Sequence, residues 1–186
     1  MKMKKLNEKT VYEGQWLSVR ETIYENKTGA QLTWETVHRK RSTVGVVIVA
    51  QLMPSKRFVL IKQYRPAING YIISFPAGLG FDDPGHALVE LKEETGYKGK
   101  VISYSPVLKS GASLVNDSAR IVYMEVDEND PANKNPIQEL EPSEDIEVCL
   151  VSFHEAKDYL LKQEAAGVHI AANLWYLFGL DGLIKV

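Results

Sequence analysis

Apolar positions along the chain fall mostly into short runs of strand length, set apart by turn signals. The segment Thr43-Val-Gly-Val-Val-Ile-Val-Ala50 is almost continuously apolar, the pattern of a strand covered on both faces. It marks the main core. Further strands are predicted at Phe58–Gln63, Tyr71–Phe75, Val101–Val107, Ala119–Val126 and Ile146–Val151, a spacing that suits a mixed sheet better than regular βαβ repeats. Ahead of them, Thr10–Lys40 alternates short β-like runs with turn signals at Glu13-Gly-Gln15 and Glu25-Asn-Lys-Thr-Gly29, which predicts a small antiparallel unit. The lysine-rich start, Met1–Lys5, reads as a frayed end.

Helices are fewer and their ends are well marked. Asp83 is placed to cap a helix that begins at Pro84 and stops at Gly96, combining N-terminal proline with C-terminal glycine. Ser152-Phe-His-Glu155 has the capping-box spacing and opens a helix over Phe153–Ala166, ended by Gly167. A last helix, predicted to run to about Leu183, lies in the apolar stretch Ile170–Ile184, which Asn173 and Asp181 interrupt. That stretch is too short to cross a bilayer and reads as a buried helix. Between two strands, Asp127–Ser143 is a long polar connection, a length that marks a functional or mobile loop.

Composition narrows the function classes. The 186 residues include 22 Lys plus Arg against 24 Asp plus Glu, a formal net charge of -2. No global basic field exists to hold a nucleic acid or an anionic membrane, so any bound anion must be held locally. The single cysteine, Cys149, cannot form an internal disulfide, and no Cys/His pair has zinc spacing, which points to a reducing compartment, the cytoplasm. His38, His86, His154 and His169 read as surface or helix residues, and Lys40 and Arg41 as a solvated basic turn. Neither a serine-hydrolase elbow, a P-loop nor a dinucleotide fingerprint is present.

The predicted helix Pro84–Thr95 carries the strongest chemical signal. At about 100° per residue, Ala87, Leu88, Leu91 and Thr95 form a core-facing stripe, and Glu90, Glu93 and Glu94 lie side by side on the adjoining face. Three carboxylates on one small surface repel one another, and a cation relieves them. Oxygen-only donors of this kind suit Mg²⁺ or Mn²⁺. The plainer alternative is a solvated acidic face.

The flanks, Phe75-Pro-Ala-Gly78 and Glu94-Thr-Gly-Tyr97, favour the first reading. With Val89-Glu-Leu-Lys-Glu-Glu-Thr-Gly-Tyr97 they resemble the box of the Nudix hydrolases, G-x5-E-x7-R-E-U-x-E-E-x-G-U with U apolar. The resemblance runs from Val11 to Leu180 and is nearest to the ADP-ribose and ADP-sugar pyrophosphatase branch, through Trp34-Glu-Thr-Val-His-Arg39, Lys62-Gln-Tyr-Arg-Pro66, Gly70-Tyr71 and Ser105-Pro106. It implies an α/β/α sandwich with a mixed sheet over residues 42–186, and an N-terminal antiparallel sheet over residues 1–41 that serves dimerisation and substrate binding. It also implies hydrolysis of ADP-ribose or a related ADP-sugar to AMP and a sugar phosphate. Carried over residue by residue, Glu90, Glu94 and the carbonyl of Ala77 hold Mg²⁺ (or Mn²⁺), with Glu93 beside them. Arg65 clamps the pyrophosphate. Glu144 is the loop base, with Asp145 or Glu141 as alternatives. Trp16 and Trp34 stack the adenine across a homodimer, and Glu35 and Arg39 read its edge; ordinary packing is the alternative for both tryptophans.

Three departures from the pattern bear on activity. Gly78–Gly96 is three residues shorter than the signature and loses its first glutamate, with Asp82 and Asp83 as the nearby carboxylates. Val89 stands where the box has arginine. The loop Lys109-Ser-Gly-Ala-Ser-Leu114 lacks the proline and aspartate of the branch. A Nudix-fold protein that binds ADP-ribose-like nucleotides without efficient hydrolysis is therefore the alternative function.

Overall fold

β1 (Lys4–Glu13), β2 (Leu17–Glu25) and β3 (Gln31–Arg39) form an antiparallel meander, the small unit expected from the alternating pattern. It begins earlier than predicted: Lys4 and Lys5, read as a frayed end, pair with Glu25 and Tyr24. The computed structural model describes residues 2–41, 44–80 and 83–180.

The remaining strands are β4 (Val44–Met53), β5 (Phe58–Arg65), β6 (Gly70–Ser74), β7 (Ala77–Leu79), β8 (Lys100–Tyr104), β9 (Leu108–Lys109), β10 (Ser118–Asp127), β11 (Ile146–Val151) and β12 (His169–Ile170). They make one mixed sheet in the order β12-β6-β5-β4-β10-β8, with β11 on β5, β7 on β4 and β9 on β10. The three shortest strands carry too few residues to show a period and were not predicted. The helices are α1 (His86–Thr95), α2 (Phe153–Ala165) and α3 (Ala172–Phe178).

The chain divides into two compact units. The first comprises Met1–Gly45, Leu79–Asp82 and Pro106–Arg120, and the second Val46–Gly78, Asp83–Ser105 and Ile121–Val186. In the second, alternation along the strands sends side chains to two separate cores. Val46, Ile48, Ala50 and Leu52 of β4 join Val59, Val122 and Met124 under Ala87 and Leu91 of α1. On the other sheet face, Leu60, Ile73, Phe75 and Cys149 pack with Ala156 and Leu160 of α2 and Leu174 and Phe178 of α3. A sheet with helices on both faces is the expected α/β/α sandwich.

Some helix details differ from expectation. Ser152 Oγ donates to Glu155 Oε2 at 2.6 Å, so the two side chains satisfy each other rather than capping the backbone of α2. The apolar stretch from Ile170 begins in β12, and α3 is only partly buried, with Trp175 and Tyr176 exposed. The predicted end near Leu183 lies outside the described residues. No helix among the described residues is long and apolar enough to cross a membrane.

Candidate active site

α1 starts two residues later than predicted. Pro84 and Gly85 form a preceding turn in which Asp83 Oδ1 accepts the Gly85 N–H at 2.8 Å, so Asp83 caps the turn. Asp82 lies outside the described residues. Gly96 ends the helix as expected, with φ +77°.

The burial of α1 departs from the predicted stripe. Leu88 is 41% exposed, whereas Glu94 is 4% exposed and shares the buried stripe with Ala87, Leu91 and Thr95. Glu94 lies seven positions beyond Ala87, so the helical period brings it to the same side. Its Oε2 accepts the Ala77 N–H at 2.9 Å, which ties the end of α1 to the strand–turn segment ahead of it. Burial pushes the Glu94 carboxyl up to about 8, reinforced by the nearby Glu90 and Glu144 charges and opposed by the Ala77 N–H and Arg65. Glu90 is also raised, first by burial and then by Glu93 and Glu144. It packs so closely on Gly78 that any Cβ there would overlap its carboxylate. Any larger residue at this point would have to displace the Glu90 carboxylate.

His86 stands beside this group, its Nε2 2.8 Å from Glu90 Oε1. The sequence marks it only as a surface or helix residue, but its four-residue spacing from Glu90 puts it on the same helix face. Val89, at the position of the box arginine, is exposed, and the His86 ring is the ion-pairing neighbour of Glu90. Of the other histidines, His38 and His169 lie in strands. Glu144 lies on the loop before β11, where Oε2 accepts the Glu141 N–H at 2.9 Å. Glu90, Glu93, Glu94, Glu144 and Arg65 thus belong to one electrostatic cluster in the second unit.

Trp16, Trp34, Glu35 and Arg39 belong to the first unit. Trp16 is 59% and Trp34 50% exposed. The Trp34 ring N–H donates to the Ser113 carbonyl at 2.8 Å, and Arg39 Nε donates to Asp117 Oδ2 at 2.8 Å. Val37 N–H also donates to the Leu114 carbonyl at 2.8 Å, so the 110–117 loop is strapped along β3. Trp34 and Glu35 are neighbours in a regular strand, and their side chains project to opposite faces; Arg39 shares the face of Glu35. The basic turn is not simply solvated: Lys40 pairs with Glu13 at 2.7 Å, and the Arg41 guanidinium lies 5.0 Å from the Trp16 ring centroid.

A buried Glu94 and a partly buried Glu90 stand at the junction of a glycine turn and a helix, and similarity to known proteins shows the family. The chain is 34% identical to the ADP-ribose pyrophosphatase of Saccharomyces cerevisiae over 170 residues, 86% of this chain and 74% of the yeast protein. It is 34% identical to putative nudix hydrolase 2 of Caenorhabditis elegans over 187 residues, 94% of this chain and 84% of that protein. The chain belongs to the Nudix hydrolases. The ADP-sugar pyrophosphatase of Mus musculus is 32% identical, covering 94% of this chain and 84% of the mouse protein, which puts the chain in the ADP-ribose and ADP-sugar pyrophosphatase branch. In fold it matches the crystal structure of an ADP compounds hydrolase over its whole length, with a TM-score of 0.69 at 21% identity. No protein-family model matches the sequence.

Nudix pyrophosphatases generally need divalent metal ions. Among the described residues, no group of three or more His, Cys, Asp or Glu side chains is gathered as a ready-made metal cage. The Nudix helix nevertheless fits a hard cation. Its buried Glu94 and partly buried Glu90 stand close to further acidic charge, and oxygen donors on a rigid helix suit a small divalent ion that keeps several waters.

Proposed function

We propose that this Nudix hydrolase cleaves the pyrophosphate of ADP-ribose or a related ADP-sugar, giving AMP and a sugar phosphate, with Mg²⁺ as cofactor and Mn²⁺ as its substitute. The observation that carries the proposal is the burial of Glu94 beside Glu90, with the Glu94 carboxyl pushed up to about 8. Unmatched buried carboxylates destabilise a fold, and they persist where a ligand completes them.

Glu90, Glu94 and the Ala77 carbonyl would hold the ion. When bound, the ion would neutralise the pyrophosphate and acidify coordinated water. Glu93, next to the ligands, would orient that water's hydrogen bonds, and Glu144 would accept its proton as general base. Arg65 would hold the pyrophosphate through its guanidinium. His86 keeps Glu90 turned toward Gly78.

In the arm, Trp16 and Trp34 offer exposed ring faces for adenine. Glu35 and Arg39, on the sheet face opposite Trp34, would read the base edge. They and Trp34 reach a single ligand only if arms of two copies enclose it, and the reading therefore includes a homodimer. The exposed Leu6, Val11, Tyr12 and Leu32 of this sheet support it, because so much apolar surface on one small sheet suits an interface. The lone buried thiol of Cys149 suits a cytoplasmic address, and the charge balance suits a small nucleotide rather than nucleic acid or membrane.

A second reading, nucleotide binding without efficient hydrolysis, is favoured by Glu144, whose carboxylate is turned back onto the Glu141 N–H. The deciding experiment measures AMP release from ADP-ribose and ADP-glucose with and without Mg²⁺ or Mn²⁺, alongside melting temperature with each nucleotide. Metal-dependent release is expected. A melting shift without release would replace the hydrolase with the binder.

A further inference from the structure

The polar connection ahead of β11 is docked at both ends of its last part. Glu139 N–H donates to the Glu93 carbonyl at 2.9 Å, Lys92 pairs with Glu139, and the Gln138 side-chain amide donates both to the Glu94 carbonyl at 2.6 Å and to the Ile146 carbonyl at 3.1 Å. These contacts satisfy carbonyls in the last turn of α1 that the helix itself leaves open. The Pro136–Ile137 backbone crosses directly over Gly96, where a Cβ would overlap it. At the far end, the Asp145 carboxylate accepts the Tyr71 hydroxyl, and its carbonyl accepts the Tyr64 N–H at 3.4 Å.

Only residues 140–144 span the two anchors. Their turn is closed by Glu144 N–H donating to the Glu141 carbonyl at 2.9 Å. Glu144 is therefore one residue from the Tyr71 anchor, on a strap whose other end is tied to the backbone of Glu93 and Glu94.

We propose that Gln138 and the Tyr71–Asp145 pair are positioning residues that set where Glu144 stands relative to the carboxylates of α1. This deepens the hydrolytic reading and rests on it. Gln138 joins both anchors through one side chain, so the ligand-bearing helix and the start of β11 hold one spacing. A strap this short, fixed at both ends, leaves its carboxylate little room, and a base displaced by about 1 Å costs up to about 100-fold in rate. Tyr71 and Gln138 act only through Glu144.

The test uses Tyr71→Phe, Asp145→Ala, Asp145→Asn and Gln138→Ala, each alone and Tyr71→Phe also with Glu144→Gln. Turnover of ADP-ribose with Mg²⁺ and amide hydrogen exchange over residues 140–144 are measured. Tyr71→Phe and Asp145→Ala should lower kcat about tenfold with KM unchanged and speed exchange in the strap. Asp145→Asn, which keeps an acceptor for the phenol, should recover most of the rate. On the Glu144→Gln background the Tyr71→Phe loss should vanish, because the two changes disable one function. An equal loss on both backgrounds, or unchanged exchange in Tyr71→Phe and Gln138→Ala alike, would overturn the proposal. A wild-type chain without turnover would overturn the hydrolytic reading instead, and the exchange result, which needs no activity, would then decide whether these residues hold the strap.

Discussion

Glu8 in the N-terminal sheet and Glu94 in the Nudix helix are the same side chain in opposite circumstances. Glu8 bonds to Lys5 at 2.7 Å, Arg20 at 3.1 Å and Thr22 at 3.1 Å, and its carboxyl is held down to about 2, chiefly by Lys5. Glu128 is held equally low, by Arg57 and Ser55. Glu94 has one backbone N–H and the weaker pull of Arg65 against burial and like charge, and its carboxyl rises to about 8. The first two come with their own cations and complete a surface. The third is left short of positive charge, the mark of a group whose partner is brought from outside.

This contrast can be broken most forcefully at Glu94. Glu94→Gln should lower ADP-ribose turnover by at least about 100-fold, because it removes one metal ligand at similar volume, while circular dichroism stays unchanged. An unaltered rate would exclude the metal assignment. Next in size, Trp34→Ala should raise KM for ADP-ribose by about tenfold and change kcat less; the reverse split would make the ring structural. His86→Ala should weaken Mn²⁺ binding several-fold by calorimetry, as losing the group that orients a ligand does, and leave the nucleotide's affinity in metal-free buffer unaltered.

The two carboxylates also predict opposite pH responses. Folded Glu94 keeps a proton that the unfolded chain, with an ordinary value of 4.5, gives up. Its contribution to metal-free stability is present below about 4.5 and is lost as pH rises to about 8. Glu8 works the other way: its contribution is present above 4.5 and lost as pH falls toward 2. Melting curves of the metal-free protein should therefore lose their decline between pH 5 and 8 in Glu94→Gln. Glu8→Gln should have the smallest effect, a loss within about 1 kcal/mol after solvent screening, present above about pH 4.5 and vanishing as pH falls toward 2.

Much of this was legible in the sequence for physical reasons. The apolar run behind β4 was readable because cover on both faces leaves little room for polar residues, and the Ile146–Val151 strand because Glu147 is its single fully exposed position. Gly96 and Gly167 marked helix ends through their backbone freedom. The placing of Glu90, Glu93 and Glu94 along one helix followed from the end signals at Pro84 and Gly96. The exchange of Leu88 for Glu94 in the buried stripe did not, because hydrophobicity ranks leucine first wherever the period allows either. Pairing of Lys4 and Lys5 was hidden because an exposed strand has no apolar alternation to display. Trp34 and Glu35 show the reverse case: strand alternation by itself puts them on opposite faces. The docking of Gln138 onto α1 had no local signal, since it depends on where a loop of irregular backbone lands.

The central claim is that Glu94 holds a proton until a divalent ion replaces it. Calorimetric titration of the nucleotide-free protein with Mn²⁺ at pH 7, in two buffers of different ionisation enthalpy, measures that exchange directly. The account predicts release of close to one proton per ion bound, and almost none from Glu94→Gln. Binding of Mn²⁺ to the wild-type chain with no proton released would contradict it.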